Sequence, residues 1–447
     1  MSGFLFVVPP LVGHINPTVG VAAELAARGH RVAWASADPG LVRRLAGDEA
    51  VVFPCAGPVL TGEDGVRPAE LRGPEALKFL WEKFLVPLAD AMAPGVRAAI
   101  GEFGPDVVVA DQQAFAGGLV AERLRVPWAT SSTTSAEFTF ADALAGMPKV
   151  ADWLDTLLHD LRGRIGDPSG TADPRFSPHL VLAFSTAELV GPGAGAGAGD
   201  RIRWVGPSMA TRPTSADFPW TWLDPARATV LVTLGTANTD VGARFLAECR
   251  DALRRRADRV QAVIVDPANV LGANGDLDDL NDMGEKDNKD NKDDKDDKDD
   301  KDDKDDKDDK DDKDDKDDKD DKDVLIRSSV PQLPLLERVD AVVCHAGHNT
   351  VCEALWHGVP LVVAPIRDDQ PVVAGQVVDA GAGIRVRFGR VTAPKLGAAI
   401  DAVLHEPGYR AAAERIRATF RAAGGARAAA THLEELAAGA TPSKEAP

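Results

Sequence analysis

Residues 4–36 decide the fold. Phe4-Leu5-Phe6-Val7-Val8 runs apolar without a break, Pro9-Pro10 stops it, and Arg31-Val32-Ala33-Trp34-Ala35-Ser36 follows as a second strand. An unbroken apolar run of this length is the mark of a strand buried on both faces. Between the two, Val19–Arg28 has helical apolar spacing and Gly29 closes it, glycine being the residue that most readily takes the left-handed turn at a helix end. Strand, helix and strand with short links make a βαβ unit, which implies a parallel sheet covered by helices.

The pattern recurs outward from this unit. Strands are expected at Asp106–Ala110, Trp128–Ser131 and Val181–Ser185, with a helix at Ala116–Leu124. Gly193 to Gly199 then alternates Gly and Ala, and Pro207, Pro213 and Pro219 follow, a composition that suits a loop and interdomain linker. Beyond it the alternation restarts, with strands at Thr229–Thr233, Val260–Val265, Val324–Arg327, Ala341–Cys344 and Leu361–Ala364, and helices at Phe245–Arg255 and Asn349–His357. Two Ala-rich helices, Ala411–Phe420 and Ala426–Leu436, come last. The expectation is an α/β protein of two doubly wound, Rossmann-like domains facing a cleft. They span residues 1–207 and 226–425, joined by a linker at 208–225, with a helix and tail at 426–447 packing back towards the first domain. A chain of 447 residues buries large cores without a disulfide or metal staple. Cys55, Cys249, Cys344 and Cys352 form no CxxC pair and fit no zinc spacing, so reduced thiols of a cytoplasmic protein are expected.

The net charge of −19 is concentrated in one place. Residues 285–323 carry 24 acids against 13 lysines, leaving 46 acids and 38 bases elsewhere. The body is mildly acidic, which argues against a nucleic-acid partner. The segment repeats Lys-Asp-Asp and has no apolar stripe to bury, so a disordered surface insert is expected, with weak calcium binding by its carboxylates as the other reading. No apolar run reaches the length of a membrane span, and the N-terminus lacks the positive region of a signal peptide.

Several residues could carry chemistry. His14, in Gly13-His14-Ile15-Asn16-Pro17, follows the first strand, where the loops of a parallel sheet build a site. A histidine there can serve as a general base near neutral pH, or pack and cap at the cleft wall. Asp111 ends another strand of the same domain and could orient that imidazole, or cap the next helix. In the second half, His345-Ala346-Gly347-His348-Asn349-Thr350 links a strand to a helix. Small and polar residues at a helix N-terminus expose backbone N–H groups and the positive end of the dipole, a ready anion site. Thr233-Leu234-Gly235-Thr236 ends a strand in a similar way, and two such loops could hold a diphosphate. Neither is a P-loop or a GxGxxG fingerprint. Phe79, Leu80, Trp81, Phe84 and Leu85, and the group Phe138, Phe140, Met147 and Trp153, could line an apolar pocket, although core packing is the commoner use of such residues.

The stretch from Val330-Pro331-Gln332 through His345–Thr350, Glu353-Ala354-Leu355, Gly358-Val359-Pro360 and Pro365 to Asp369-Gln370 resembles the nucleotide-sugar signature of glycosyltransferase family 1, most closely its bacterial macrolide-type branch. The resemblance extends over the chain apart from the insert. It implies the GT-B fold and an inverting transfer of a hexose or deoxyhexose from a UDP- or dTDP-sugar, with no metal or other cofactor. The acceptor is expected to be a hydroxyl of a small apolar natural product, and the protein a monomer or homodimer with no membrane partner. Carbon- or nitrogen-directed transfer, and a non-catalytic nucleotide-sugar-binding role, are the alternatives. By the same resemblance His14 is the base and Asp111 its support. Gly235, Thr236, His345, Gly347, His348, Asn349 and Thr350 meet the diphosphate. Glu353 takes the ribose hydroxyls, Val330 and Gln332 the base, and Asp369 and Gln370 the sugar. Ser329 stands where many relatives place an aromatic residue that stacks on the base.

Overall fold

The computed structural model describes residues 1–58, 73–139, 146–195, 199–209, 217–235, 242–272 and 322–440. Among them, seven parallel strands form a first sheet: β1 (Gly3–Val7), β2 (Arg31–Ser36), β3 (Val52–Pro54), β4 (Val107–Asp111), β5 (Trp128–Ser132), β6 (Leu180–Ala183) and β7 (Ile202–Trp204), in spatial order 3-2-1-4-5-6-7. Six parallel strands form a second: β8 (Ala228–Thr233), β9 (Val260–Val265), β10 (Val324–Arg327), β11 (Ala341–Cys344), β12 (Leu361–Val363) and β13 (Gly383–Arg385), in order 10-9-8-11-12-13. Each order reverses once, between β1 and β4 and between β8 and β11. Connections leave these neighbours in opposite directions, so a crevice opens at their carboxyl ends.

Alternate residues of β1 serve opposite cores, as the period of a strand requires. Leu5 and Val7 pack with Leu88, Met92 and Val96 of the helix Val86–Phe103 and with Phe115 of Phe115–Leu124. Phe4 and Phe6 pack with Ile15, Val21 and Leu25 of the helix Val12–Ala27 and with Leu433 of the last helix, Gly425–Ala440. The second sheet is likewise covered on both faces.

The first helix begins at Val12, earlier than its apolar spacing suggests, and so includes His14 and Pro17. Proline has no N–H to donate four residues back. The Gly13 carbonyl is therefore left without its helical partner.

The Gly/Ala repeat does not join the domains. β7 follows it and pairs with β6, so the repeat precedes the last strand of the first sheet; residues 196–198 and the linker residues 210–216 lie outside the described residues. Glu75–Phe103 is one helix, broken only by a π-turn at Leu80–Leu85, and is long and apolar enough by composition to cross a membrane. Its apolar side chains instead fill the first core: Trp81, Phe84 and Leu85 are buried there, Trp81 stacked on Phe115. Phe138 packs with Phe176 and Trp204 beside the edge strand, and Phe140 lies outside the described residues. The Lys-Asp-Asp insert lies outside them too, except for its last two residues. Arg227 donates to the Lys322 carbonyl and pairs with Asp323 at 2.6 Å, so those two belong to the lead into β10.

The chain crosses between the domains twice, and the crossings touch. The Gly425 amide, at the start of the last helix, donates to the Val205 carbonyl at 2.7 Å. Gly206 has φ of +71°, and a Cβ there would lie 2.9 Å from the Phe420 carbonyl oxygen, so glycine is required both by backbone conformation and by close approach.

Candidate active site

On the first sheet, β1 and β4 are neighbours at the reversal of strand order. The helix that leaves β1 carries His14, and Asp111 is the last residue of β4. The two meet: His14 Nδ1 is 2.9 Å from Asp111 Oδ1. Asp111 Oδ1 also accepts from the Gln113 amide at 2.8 Å, so the carboxylate orders the next turn as well as touching the imidazole. Burial works against charge on His14. The Asp111 carboxylate beside it, with Asp369 and Glu137 further off, outweighs burial and raises the imidazole above its ordinary value of 6.5. The His14 side chain remains 15% exposed.

On the second sheet, β8 leads to Gly235 and β11 to His345, again at the reversal. His345 is buried between two glycines. A Cβ on Gly235, whose φ is +69°, would come within 2.7 Å of its ring, and a Cβ on Gly347 would run into its Nε2. Burial lowers the His345 pKa to about 4, so the ring is neutral, and its Nδ1 has no protein partner. Ala346 takes φ of +65°, a left-handed conformation that turns the chain from β11 into the helix His348–Trp356. That helix begins without a side-chain cap, which leaves its first N–H groups available to an anion. Thr350 is buried in its first turn, and Thr236 lies outside the described residues.

The two walls make polar contact. Asn349 Nδ2 donates to the Gly13 carbonyl at 2.8 Å, the acceptor that Pro17 leaves free. Thr134 donates to Asp369 Oδ2 at 2.6 Å, and Ser135 donates to Gln376 Oε1 at 2.5 Å. His348 turns away from the crevice between β8 and β11: one ring nitrogen lies 3.3 Å from the Phe184 carbonyl and the other 3.2 Å from Ser135 Oγ. Burial lowers its pKa to about 4. Asp369 is raised above the ordinary carboxylate value by burial, with the Thr134 hydroxyl acting in the other direction.

The remaining sites expected from the sequence sit nearby but do not all converge. Gln332 Nε2 donates to Glu353 Oε2 at 2.6 Å, and Glu353 lines a small cleft with Asn349, Pro17, Phe184 and Ser208. Val330 is half-buried against the second core beside exposed Ser329. Gln370 folds back on its own loop, where its Oε1 accepts from the Ile366 and Arg367 amides at 2.9 and 3.1 Å. Sequence reasoning missed Thr133, Thr134 and Ser135. The unbroken run Thr130-Ser131-Ser132-Thr133-Thr134-Ser135 at the end of a buried strand was the available signal, since hydroxyls in such a place need partners.

The family model described as erythromycin biosynthesis protein CIII-like, C-terminal domain, matches residues 314–436. Demethyllactenocin mycarosyltransferase of Streptomyces fradiae is 31% identical over 98% of this chain and 87% of its own length. The 4'-demethylrebeccamycin synthase of Lentzea aerocolonigenes is 27% identical over 92% of this chain and 93% of its own. The crystal structure of the glycotransferase of kitacinnamycin superposes with a TM-score of 0.69 at 25% identity, covering 97% of this chain and 98% of that one.

Proposed function

The chain belongs to glycosyltransferase family 1, in its bacterial macrolide-type branch, and from that premise we propose that it moves a hexose or deoxyhexose from a UDP- or dTDP-sugar to a hydroxyl of a small apolar natural product, inverting the anomeric centre. One observation carries the reading. Asn349, at the helix N-terminus that would face the diphosphate, bonds to the Gly13 carbonyl, and the next residue is the candidate base, His14.

In this mechanism His14 Nε2 takes the acceptor proton as the hydroxyl attacks the anomeric carbon from the face opposite the leaving group. Asp111 stabilises the imidazolium that forms. The departing diphosphate gains charge as its bond breaks, and that charge is met by the helix dipole, the free amides at 347–350 and the neutral His345 ring. Donors already aimed at the developing charge do the work a metal ion would otherwise do. Glu353 and Gln332 take the nucleoside, and Asp369 exchanges Thr134 for hydroxyls of the sugar.

The test is release of UDP from UDP-glucose and of dTDP from dTDP-glucose, each with a panel of hydroxylated macrolactones, in excess chelator. Acceptor-dependent release from at least one donor is expected. Release that requires added magnesium or manganese would contradict the metal-free mechanism, and a glycosidic product that retains the donor's anomeric configuration would overturn inversion.

A further inference from the structure

The candidate base is held by a third residue. Thr133 Oγ1 lies 2.8 Å from His14 Nδ1 and 2.9 Å from Asp111 Oδ2, while His14 Nδ1 lies 2.9 Å from Asp111 Oδ1. We infer that Thr133 is a positioning residue for the transfer, closing a ring with Asp111 that keeps the proton of neutral His14 on Nδ1 and leaves Nε2 bare towards the acceptor. This rests on the reading of His14 as the base.

An ionised carboxylate only accepts, so Asp111 supplies no proton to any of the three contacts. The hydroxyl has one proton, and Asp111 Oδ2 is the acceptor it must satisfy. A lone pair of Oγ1 then faces His14 Nδ1, where another acceptor, Oδ1, also waits. One arrangement serves all three contacts: Thr133 donates to Oδ2, and Nδ1–H is shared between Oδ1 and Oγ1. The opposite tautomer would set a bare nitrogen against a carboxylate oxygen. Asp111 and Thr133 are 2% and 3% exposed, so water does not substitute for either contact.

The loop that carries Thr133 is itself fixed. Ser132 Oγ donates to Gln112 Oε1 at 2.6 Å, and Gln112 Nε2 reaches the Thr134 carbonyl at 3.4 Å, so one buried side chain holds both neighbours of Thr133. Topology explains why the three residues meet. β1, β4 and β5 are adjacent in the sheet, and each sends one residue to its carboxyl edge: His14, Asp111 and Thr133. Asp111 pairs in register with Ser131, two residues before Thr133 and on the same face.

The experiment compares the full-length parent with Thr133→Val, Thr133→Ser and His14→Ala. Two-bond proton–nitrogen spectra of histidine-labelled protein report the His14 tautomer without any ligand, the His14→Ala spectrum supplying the assignment. The parent is expected to show Nδ1–H. Thr133→Val, equal in shape and lacking the hydroxyl, is expected to show a measurable Nε2–H share. Its kcat for transfer from UDP- or dTDP-glucose to an aliphatic alcohol should fall about ten-fold or more, with the donor KM within about two-fold of the parent. Thr133→Ser should restore both. If Thr133→Val does not fold, Thr133→Ala is read by the same spectrum. An unchanged tautomer together with parent kcat in the variant lacking the hydroxyl overturns the inference while leaving the base assignment intact if His14→Ala is inactive. An active His14→Ala would instead remove the base assignment, and the tautomer would still report whether Thr133 holds the ring.

Discussion

At the scale of single residues, the proposed reaction turns on the charge of His14. It works as a base only when neutral, and its neighbours raise its pKa above 6.5. Activity should therefore rise with pH through a limb lying above 6.5 and be lost below it, where the ring is already protonated. Asp111→Asn removes the principal charge favouring the imidazolium, so the limb should move to lower pH while the maximal rate falls; a pH profile of kcat/KM checks both. His14→Ala should cost on the order of 10²–10⁴-fold in rate with donor binding preserved, measured by calorimetry with UDP and dTDP, because the donor loops belong to the other sheet. The His14–Asp111 contact was half legible in the sequence. Each residue sat at a strand end of one domain, which made a site plausible for either alone. Contact required the strand order, and no pattern in the chain states that β1 lies beside β4. Thr133 was less legible still, because a threonine in a polar run carries no periodic signal and matters here only through where its one proton must go.

At the scale of elements, the anion site is a strand, a tight turn and a helix N-terminus, with His345 inserted between Gly235 and Gly347. Gly347→Ala would press a methyl group into the His345 ring without changing the helix, which separates ring placement from the dipole. Nucleoside diphosphate affinity should fall by about 1.5–3 kcal/mol, the worth of a hydrogen bond to a charged group, as calorimetry with UDP and dTDP would show. Unchanged affinity for both would mean that His345 takes no part in binding them. This element was readable in the sequence because it is local: apolar strand, small residues and helix lie within one short stretch. The first helix was read less well. Apolar spacing puts its start at Val19, whereas the helix begins at Val12, absorbs Pro17 and leaves the Gly13 carbonyl to Asn349. The aromatic group at Phe79–Leu85 was open to two uses, and burial of Trp81, Phe84 and Leu85 assigns those three to packing.

At the scale of the whole molecule, the two-domain plan was legible because apolar strands buried on both faces announce a parallel sheet. The place of the Gly/Ala repeat was not, since such a composition marks a loop without saying which elements it joins, and here it leads into β7. The Lys-Asp-Asp tract has no apolar side chain between residues 286 and 321, and loop-closure entropy changes only logarithmically with length. Replacing 286–321 with a short Gly/Ser linker, keeping Lys322 and Asp323 for Arg227, should leave turnover and donor affinity within about three-fold. A shortened protein with an unchanged melting profile but no activity would show that the tract takes part in the reaction. The paired crossings have a mechanical consequence. Because the chain segments at Val205 and Gly425 are bonded where they pass between the domains, relative movement of the two halves is expected to take the form of rotation about that junction, with the Asn349–Gly13 and Thr134–Asp369 contacts parting as it opens. A spectroscopic ruler placed anywhere on the two halves would then follow one coordinate, its amplitude growing with distance from the pivot and its rate the same from every vantage point.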